Sequence, residues 1–268
     1  LNLNYLIDLK INKSINKSIN KSLILNYRMS LEIDIEKEHD KLMIVQNILK
    51  DKNKKFIVVD GLISAGKTTL INLFEKRMNS KNAVKVKAIF EPVDIWTSTG
   101  ALQYFYDDIP AHCYEFQTYT YITRIRRIID ELYNNPDADI YIMERSIWTD
   151  RYIFMELLKN LIGELRFTMY NQWCDLWALI LPLRVDKWVF LDTSLEESIR
   201  RIRTRNRNAE NRVDENYQRQ LYEKHIEFYN KLENDLKPVI RIQHHLMDND
   251  FINNKVILDE IIQKIMNP

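Results

Sequence analysis

Glycine is scarce in this chain, with four in 268 residues. That rules out a glycine-rich linker and makes the few glycines present informative. Cysteine is scarcer: Cys113 and Cys174 show neither metal-type spacing nor a disulfide framework, so a reducing, cytoplasmic compartment is the default. Net charge is almost absent as well. Thirty-nine Lys and Arg against 38 Asp and Glu leave +1, so no global basic field points to a nucleic acid as partner. No apolar run approaches the roughly 18 residues that span a bilayer, so no membrane partner is expected.

The chain is 46% hydrophobic and 29% charged, which are globular proportions. Its length suits one α/β domain with decoration, or two small domains. The first 50 residues stand apart as a low-complexity, disordered extension, followed by a folded domain over 51–268. Residues 11–22 repeat Ile-Asn-Lys-Ser three times, too short a run for a solenoid. Before Arg28 the only acid is Asp8, against Lys10, Lys13, Lys17 and Lys21. Such a start reads as a disordered tail, as translated leader ahead of Met29, or as a mitochondrial presequence with unusually little arginine.

Beyond it the hydrophobic pattern alternates between strand and helix. Strands are predicted at Phe56–Asp60, Val84–Phe90, Ile140–Met143, Trp188–Leu191 and Val239–Ile242. A long helix is predicted over His112–Tyr133, where apolar residues recur at spacings of three and four, and a closing helix over Phe251–Met266. This alternation predicts a doubly wound α/β fold with a five-stranded parallel sheet. Ligands of such sheets sit beyond the carboxyl ends of the strands, so the polar residues after each strand are the candidates.

The stretch Gly61-Leu62-Ile63-Ser64-Ala65-Gly66-Lys67-Thr68, followed by Thr69, matches the P-loop pattern between a strand and a helix. At ordinary glycine usage the pattern arises by chance in roughly one chain of this length in a hundred. Its glycines let successive N–H groups point at phosphate oxygens, and the helix that follows adds its positive end. Lys67 then reaches the β- and γ-phosphates, and the Thr68 hydroxyl suits Mg²⁺. A triphosphate such as ATP and Mg²⁺ follow from the motif; the acceptor does not.

The order and spacing of six segments resemble the deoxynucleoside kinases. These are Gly61–Thr69; Glu91-Pro92-Val93 with Trp96; Phe116-Gln117-Thr118-Tyr119; Arg124-Ile125-Arg126; Glu144-Arg145-Ser146; and Asp150-Arg151-Tyr152-Ile153-Phe154. The branch resembled is that of the deoxycytidine, deoxyguanosine and deoxyadenosine kinases, and the likeness runs from about Phe56 to the C-terminus. Alone, Glu91 reads as a solvated loop carboxylate; the resemblance implies the general base for the 5′-hydroxyl. It likewise implies Glu144 with Thr68 for the metal, and Arg145 for the 5′-oxygen and the transferring charge. Gln117 is implied at the nucleobase edge, with Arg124 two helical turns along and Asp150 as its acid. Such a pair beside the base favours deoxycytidine, deoxyadenosine or deoxyguanosine over thymidine. Trp96, Phe116 and Phe154 are implied as pocket walls, and Tyr106 and Glu210 as partners of the 3′-hydroxyl.

Six arginines fall between Arg200 and Arg212 among the asparagines 206, 208 and 211. Alone they read as a basic patch, a helix end or a phosphate-clamping lid. The resemblance implies a lid, with Arg201, Arg205 and Arg207 on the donor. The reading is a Mg²⁺-dependent kinase that moves the γ-phosphoryl of a nucleoside triphosphate to a deoxyribonucleoside for salvage, and the resemblance implies a homodimer. The rivals are a nucleoside monophosphate kinase and a nucleotide-binding module with no acceptor.

Overall fold

The computed structural model describes residues 21–81, 84–205, 213–243 and 251–267; side chains are described from residue 36 onward, apart from that of Arg205. The chain divides into two units, Leu1–Ile44 and Val45–Pro268. In the first, the described residues are helical from Lys21, within helix α1 (Lys21–Lys50). This departs from the disorder expected up to residue 50. The second unit also begins earlier than expected, because Val45, Ile48 and Leu49 recur at helical spacing and are buried there. Gln46 donates to the Ile180 carbonyl at 2.6 Å in the same unit. Most of the Ile-Asn-Lys-Ser repeat lies outside the described residues.

The second unit holds a sheet of five strands, all parallel, in the order β2-β3-β1-β4-β5. The strands are β1 (Lys55–Asp60), β2 (Val86–Ile89), β3 (Ile140–Glu144), β4 (Lys187–Asp192) and β5 (Val239–Gln243). The three central strands are apolar and buried along nearly their whole length, as helices on both faces of a parallel sheet require. Phe56 on β1 and Tyr141 on β3 are register partners and stack at 5.3 Å. Burial of each such ring contributes roughly 1.5–3 kcal/mol.

Helix α2 (Lys67–Asn79) follows β1; α3 (Val93–Ser98), α4 (Ala101–Asp107) and α5 (Ile109–Asn134) follow β2. The long predicted helix is therefore α5, three residues longer at its start. Its extra turn is capped by Asp108, whose side chain accepts the Ala111 N–H at 3.1 Å. After β3 come the single turn α6 (Ile147–Thr149), a π-helical turn (Asp150–Met155), α7 (Glu156–Ile162) and α8 (Glu164–Ile180). Helices α9 (Leu195–Arg205) and α10 (Glu215–Asn234) lie between β4 and β5. The last helix, α11 (Lys255–Met266), starts later than Phe251 because Asn254 caps it, accepting from the N–H groups of Val256 and Ile257. Among the described residues, no helix is long and apolar enough to cross a membrane.

Gly61 shows how tightly the first loop meets the sheet. Its φ is +147°, and a Cβ there would sit 2.6 Å from the Leu191 carbonyl oxygen at the end of β4. We expect Gly61→Ala to lower stability on the order of 3 kcal/mol, read as a shift of the urea midpoint. A loss under about 0.5 kcal/mol would mean that the strand end yields and the close approach carries no strain.

Candidate active site

The carboxyl ends of β1, β2 and β3 open into a cavity of about 550 Å³. One wall is the P-loop. Gly61 and Gly66 take positive φ, and so does Ser64 at 58°, which curls the backbone into a cradle before α2. Lys67 folds back over that cradle and donates to the Leu62 carbonyl at 2.8 Å and the Gly61 carbonyl at 3.3 Å. Burial pushes its ammonium pKa down to about 8. Ser64, Ala65, Gly66, Thr68 and Thr69 also line the cavity. The Thr68 hydroxyl donates to Glu144 Oε1 at 2.8 Å.

Glu91, just beyond β2, is the centre of an ion cluster. Its Oε1 accepts from Arg124 Nη2 and its Oε2 from Arg145 Nη1, each at 2.8 Å. Burial pushes this carboxyl up, but Arg145, Arg124 and Lys67 together pull it down to about 2. Arg124, on α5, also holds Asp150 in a two-pronged contact at 2.7 and 3.1 Å and donates to the Glu144 carbonyl at 3.0 Å. Burial raises the Asp150 carboxyl despite that partner. Burial, and then the nearby Glu91 charge, raise Glu144.

Arg145 follows β3 in a left-handed conformation, φ 59°, which costs a non-glycine residue about 1–3 kcal/mol. Its backbone N–H donates to the Val59 carbonyl at 2.9 Å and its Nη2 to the Gly61 carbonyl at 2.9 Å. The guanidinium lies over the Phe154 ring at 4.9 Å. Asp150 and Phe154 both come from the π-helical turn, a feature common at functional sites.

The far wall is aromatic. Phe105 stacks on Phe116 at 4.5 Å, and Trp96 meets Phe116 edge-on at 6.0 Å. The Trp96 indole donates to the Thr123 hydroxyl at 2.8 Å, which leaves its ring to the cavity. Gln117 and Tyr106 line the same space. Arg201 of α9 reaches the loop, donating to the Ala65 carbonyl at 3.1 Å and pairing with Glu197.

The structure thus brings to one cavity nearly every residue singled out in the sequence. Arg205 closes α9, with its side chain outside the description, and Arg207 and Glu210 lie outside the described residues. Sequence reasoning passed over Leu102, Phe105, Thr120, Tyr217 and Ile252, which also line the cavity. Apart from Thr120, their apolar or aromatic character reads as core until the fold puts them at an opening. It also passed over Asp60, beneath the P-loop.

A P-loop cradle at the carboxyl end of a parallel sheet, facing an aromatic slot across a carboxylate held by two arginines, defines a phosphotransferase of the nucleoside-kinase type. The chain belongs to the deoxynucleoside kinase family, whose pattern it matches over residues 57–267. It is 31% identical over 229 residues to a probable deoxycytidine kinase of Fowlpox virus, covering 82% of this chain and 92% of that one. It is 25% identical over 241 residues to a mitochondrial deoxyguanosine kinase of Xenopus laevis, covering 81% and 90%. It is 29% identical over 210 residues to human mitochondrial thymidine kinase 2, covering 74% of each chain. It is a kinase that uses a nucleoside triphosphate and a nucleoside as its substrates.

The Glu91 cluster makes a pH prediction. Because its folded pKa lies below the ordinary 4.5, ionised Glu91 contributes stability that is complete above about pH 4.5 and is lost as pH falls toward 2. In urea titrations from pH 7 to pH 3, the stability gap between the native chain and Glu91→Gln should therefore shrink below pH 4.5. A gap that stays constant would show that the arginines do not act on Glu91 electrostatically.

Proposed function

We propose that this kinase phosphorylates the 5′-hydroxyl of deoxycytidine, deoxyadenosine or deoxyguanosine in preference to thymidine, as a homodimer serving nucleotide salvage. The observation carrying the base preference is the Arg124–Asp150 pair, both nearly fully buried, facing the cavity beside Gln117. An Arg fork and a carboxylate occupy the room a 5-methyl group would need. An amide beside them can pair with cytosine or purine edges. Two of the relatives above are named for deoxycytidine and deoxyguanosine, which fits this choice, and the third is named for thymidine.

Glu91 takes the proton of the 5′-hydroxyl as it attacks. A carboxyl at about 2 is a weak base on its own. Two of the three cations that hold it there, Arg145 and Lys67, are those a triphosphate draws on, so donor binding relaxes the depression in part while Arg124 keeps its hold. The loose transition state of phosphoryl transfer asks mainly for alignment and charge. Arg145, Lys67 and Arg201 supply the charge, and the P-loop N–H groups orient the phosphates. Thr68 and Glu144 fit a magnesium ion, being a hydroxyl and a carboxylate 2.8 Å apart beside the phosphate cradle. When bound, the ion neutralises charge on the β- and γ-phosphates. Among the described residues lining the cavity, the cations besides Arg124 and Arg145, which pair with carboxylates, are Lys67 and Arg201 at the P-loop, an arrangement that disfavours a monophosphate acceptor. Buried free thiols at Cys113 and Cys174 suit a cytoplasmic setting.

The dimer reading, implied by the resemblance, draws support from α8. Leu165, Met169, Trp173, Leu176 and Leu179 recur at spacings of four and three and are exposed, while Tyr170 on the other side packs against Tyr121 of α5 at 5.6 Å. An apolar stripe of this length fits a self-complementary helix interface with a second copy. We expect the native chain to sediment as a dimer and Trp173→Glu as a monomer at micromolar concentration. A native monomer would remove the interface.

Turnover of the four deoxynucleosides and their monophosphates with MgATP tests the reaction and the base preference. Glu91→Gln should lower kcat by about 10²–10⁴. Combining Arg124→Met with Asp150→Ala should raise the thymidine to deoxycytidine ratio of kcat/KM about tenfold or more, even as all rates fall. Thymidine as the native chain's best substrate would overturn the base preference, and turnover of monophosphates alone would move the acceptor by one phosphate.

A further inference from the structure

Asp60, the last residue of β1, has no exposed surface. Its carboxylate is surrounded by four groups from three stretches of chain. Oδ1 accepts the Gly61 N–H at 2.8 Å and lies 3.4 Å from Arg145 Nε, an ion-pair contact. Oδ2 accepts the Thr149 hydroxyl at 2.8 Å. That hydroxyl accepts the Ser146 N–H at 3.0 Å, so its single hydrogen is directed to Asp60. On the remaining side, His225 Nε2 of α10 lies 3.2 Å from Oδ1.

His225 is also fully buried, with the Phe190 ring stacked at 6.0 Å and Phe154 edge-on at 6.3 Å. Its Nδ1 is 2.7 Å from the Leu221 carbonyl oxygen, an atom that can only accept. Nδ1 therefore donates to that carbonyl, and Nε2 is the ring atom that faces the Asp60 carboxylate. Neither Asp60 nor His225 is among the residues lining the cavity. What they hold does line it: Arg145, and, through Thr149, the start of the turn that carries Asp150. The Gly61 N–H opens the P-loop.

We propose that Asp60 and His225 form one positioning unit that sets the Arg145 guanidinium and the entry of the P-loop for phosphoryl transfer. The inference rests on the reading of Arg145 as the group that meets the transferring phosphoryl. Arg145 has Glu91 in front and Asp60 behind. When a triphosphate competes for the front of the guanidinium, the contact behind remains, so the group turns without leaving. A carboxylate is required because every neighbour is a donor. An amide in its place would turn its N–H hydrogens either toward Arg145 and His225 or toward the Thr149 hydroxyl, and each side already presents a donor. His225 in turn ties the floor of the site to α10.

The test compares full-length Asp60→Asn, His225→Gln, His225→Phe, the double variant Asp60→Asn with His225→Phe, and Arg145→Lys, with kcat, both KM values and thermal midpoints measured for each. His225→Phe, which removes the donor, should lower kcat about tenfold with nucleoside KM changed less than about threefold. His225→Gln can still donate to Asp60 and should keep kcat within about threefold of native. Asp60→Asn should cost about a hundredfold in kcat, and adding His225→Phe should cost no more than about twofold further, as expected of a unit. Equal kcat for the Gln and Phe variants, multiplying losses in the double variant, or an effect confined to KM would each overturn the proposal. If Asp60→Asn fails to fold, the two His225 variants decide alone. A native kcat in Arg145→Lys would instead refute the role given to Arg145; a loss there with Asp60→Asn fully active would sink only the positioning unit.

Discussion

The Glu91 carboxylate is gripped at both oxygens by buried guanidinium groups, Arg124 from α5 and Arg145 from the end of β3, and each arginine has a second acid behind it. Removing one partner from such a buried set leaves a charge uncompensated, at a cost of about 3–5 kcal/mol. The cluster therefore constrains every element that contributes to it. It requires β2 to end where Glu91 can turn inward, and α5 to present Arg124 two turns beyond Gln117. Arg145 keeps its left-handed backbone for the same reason. In that conformation its guanidinium spans Glu91, the Gly61 carbonyl and the edge of Asp60 at once.

Among the described residues, Lys67, Thr68 and Arg201, the side chains at the phosphate cradle, are each held by an internal partner. Lys67 rests on two P-loop carbonyls, Thr68 on Glu144, and Arg201 on the Ala65 carbonyl and Glu197. Donor binding would thus exchange hydrogen bonds more than create them. The gain lies in replacing neutral carbonyls by charged phosphate oxygens, since charge-assisted hydrogen bonds are roughly twice as strong. The depressed Lys67 pKa belongs to the same setting: burial, and then the nearby Arg145, lower it more than Glu144, Glu91 and Asp60 raise it.

Residues whose chemistry is announced by local spacing were legible in the sequence. The P-loop, the five strands and α5 follow from short-range pattern, and most site residues come from positions just beyond strand ends or on one face of α5. The parts that escaped depend on pairings across long stretches of chain. Asp60 meets His225 across 165 positions, and nothing near either residue announces the other. Phe105 and Tyr217 face each other at 6.2 Å from separate helices, and each alone reads as core. The π-helical turn has no sequence signature here, and the apolar spacing of Val45, Ile48 and Leu49 was masked by the polar repeat before it.

Arg124 joins two tasks that are often separate in enzymes. One edge of its guanidinium holds Asp150, proposed to face the nucleobase, and Nη2 also holds Glu91, proposed as the base for the 5′-hydroxyl. A substitution that opens room for a 5-methyl group by removing Arg124 therefore also frees one oxygen of Glu91 and removes a cation that lowers its pKa. The released carboxylate becomes a stronger base but a less oriented one. Since phosphoryl transfer depends more on alignment than on base strength, orientation outweighs basicity. Base preference on this scaffold is thus tied to rate: a broader choice of nucleoside comes with slower transfer, unless another group takes over the hold on Glu91.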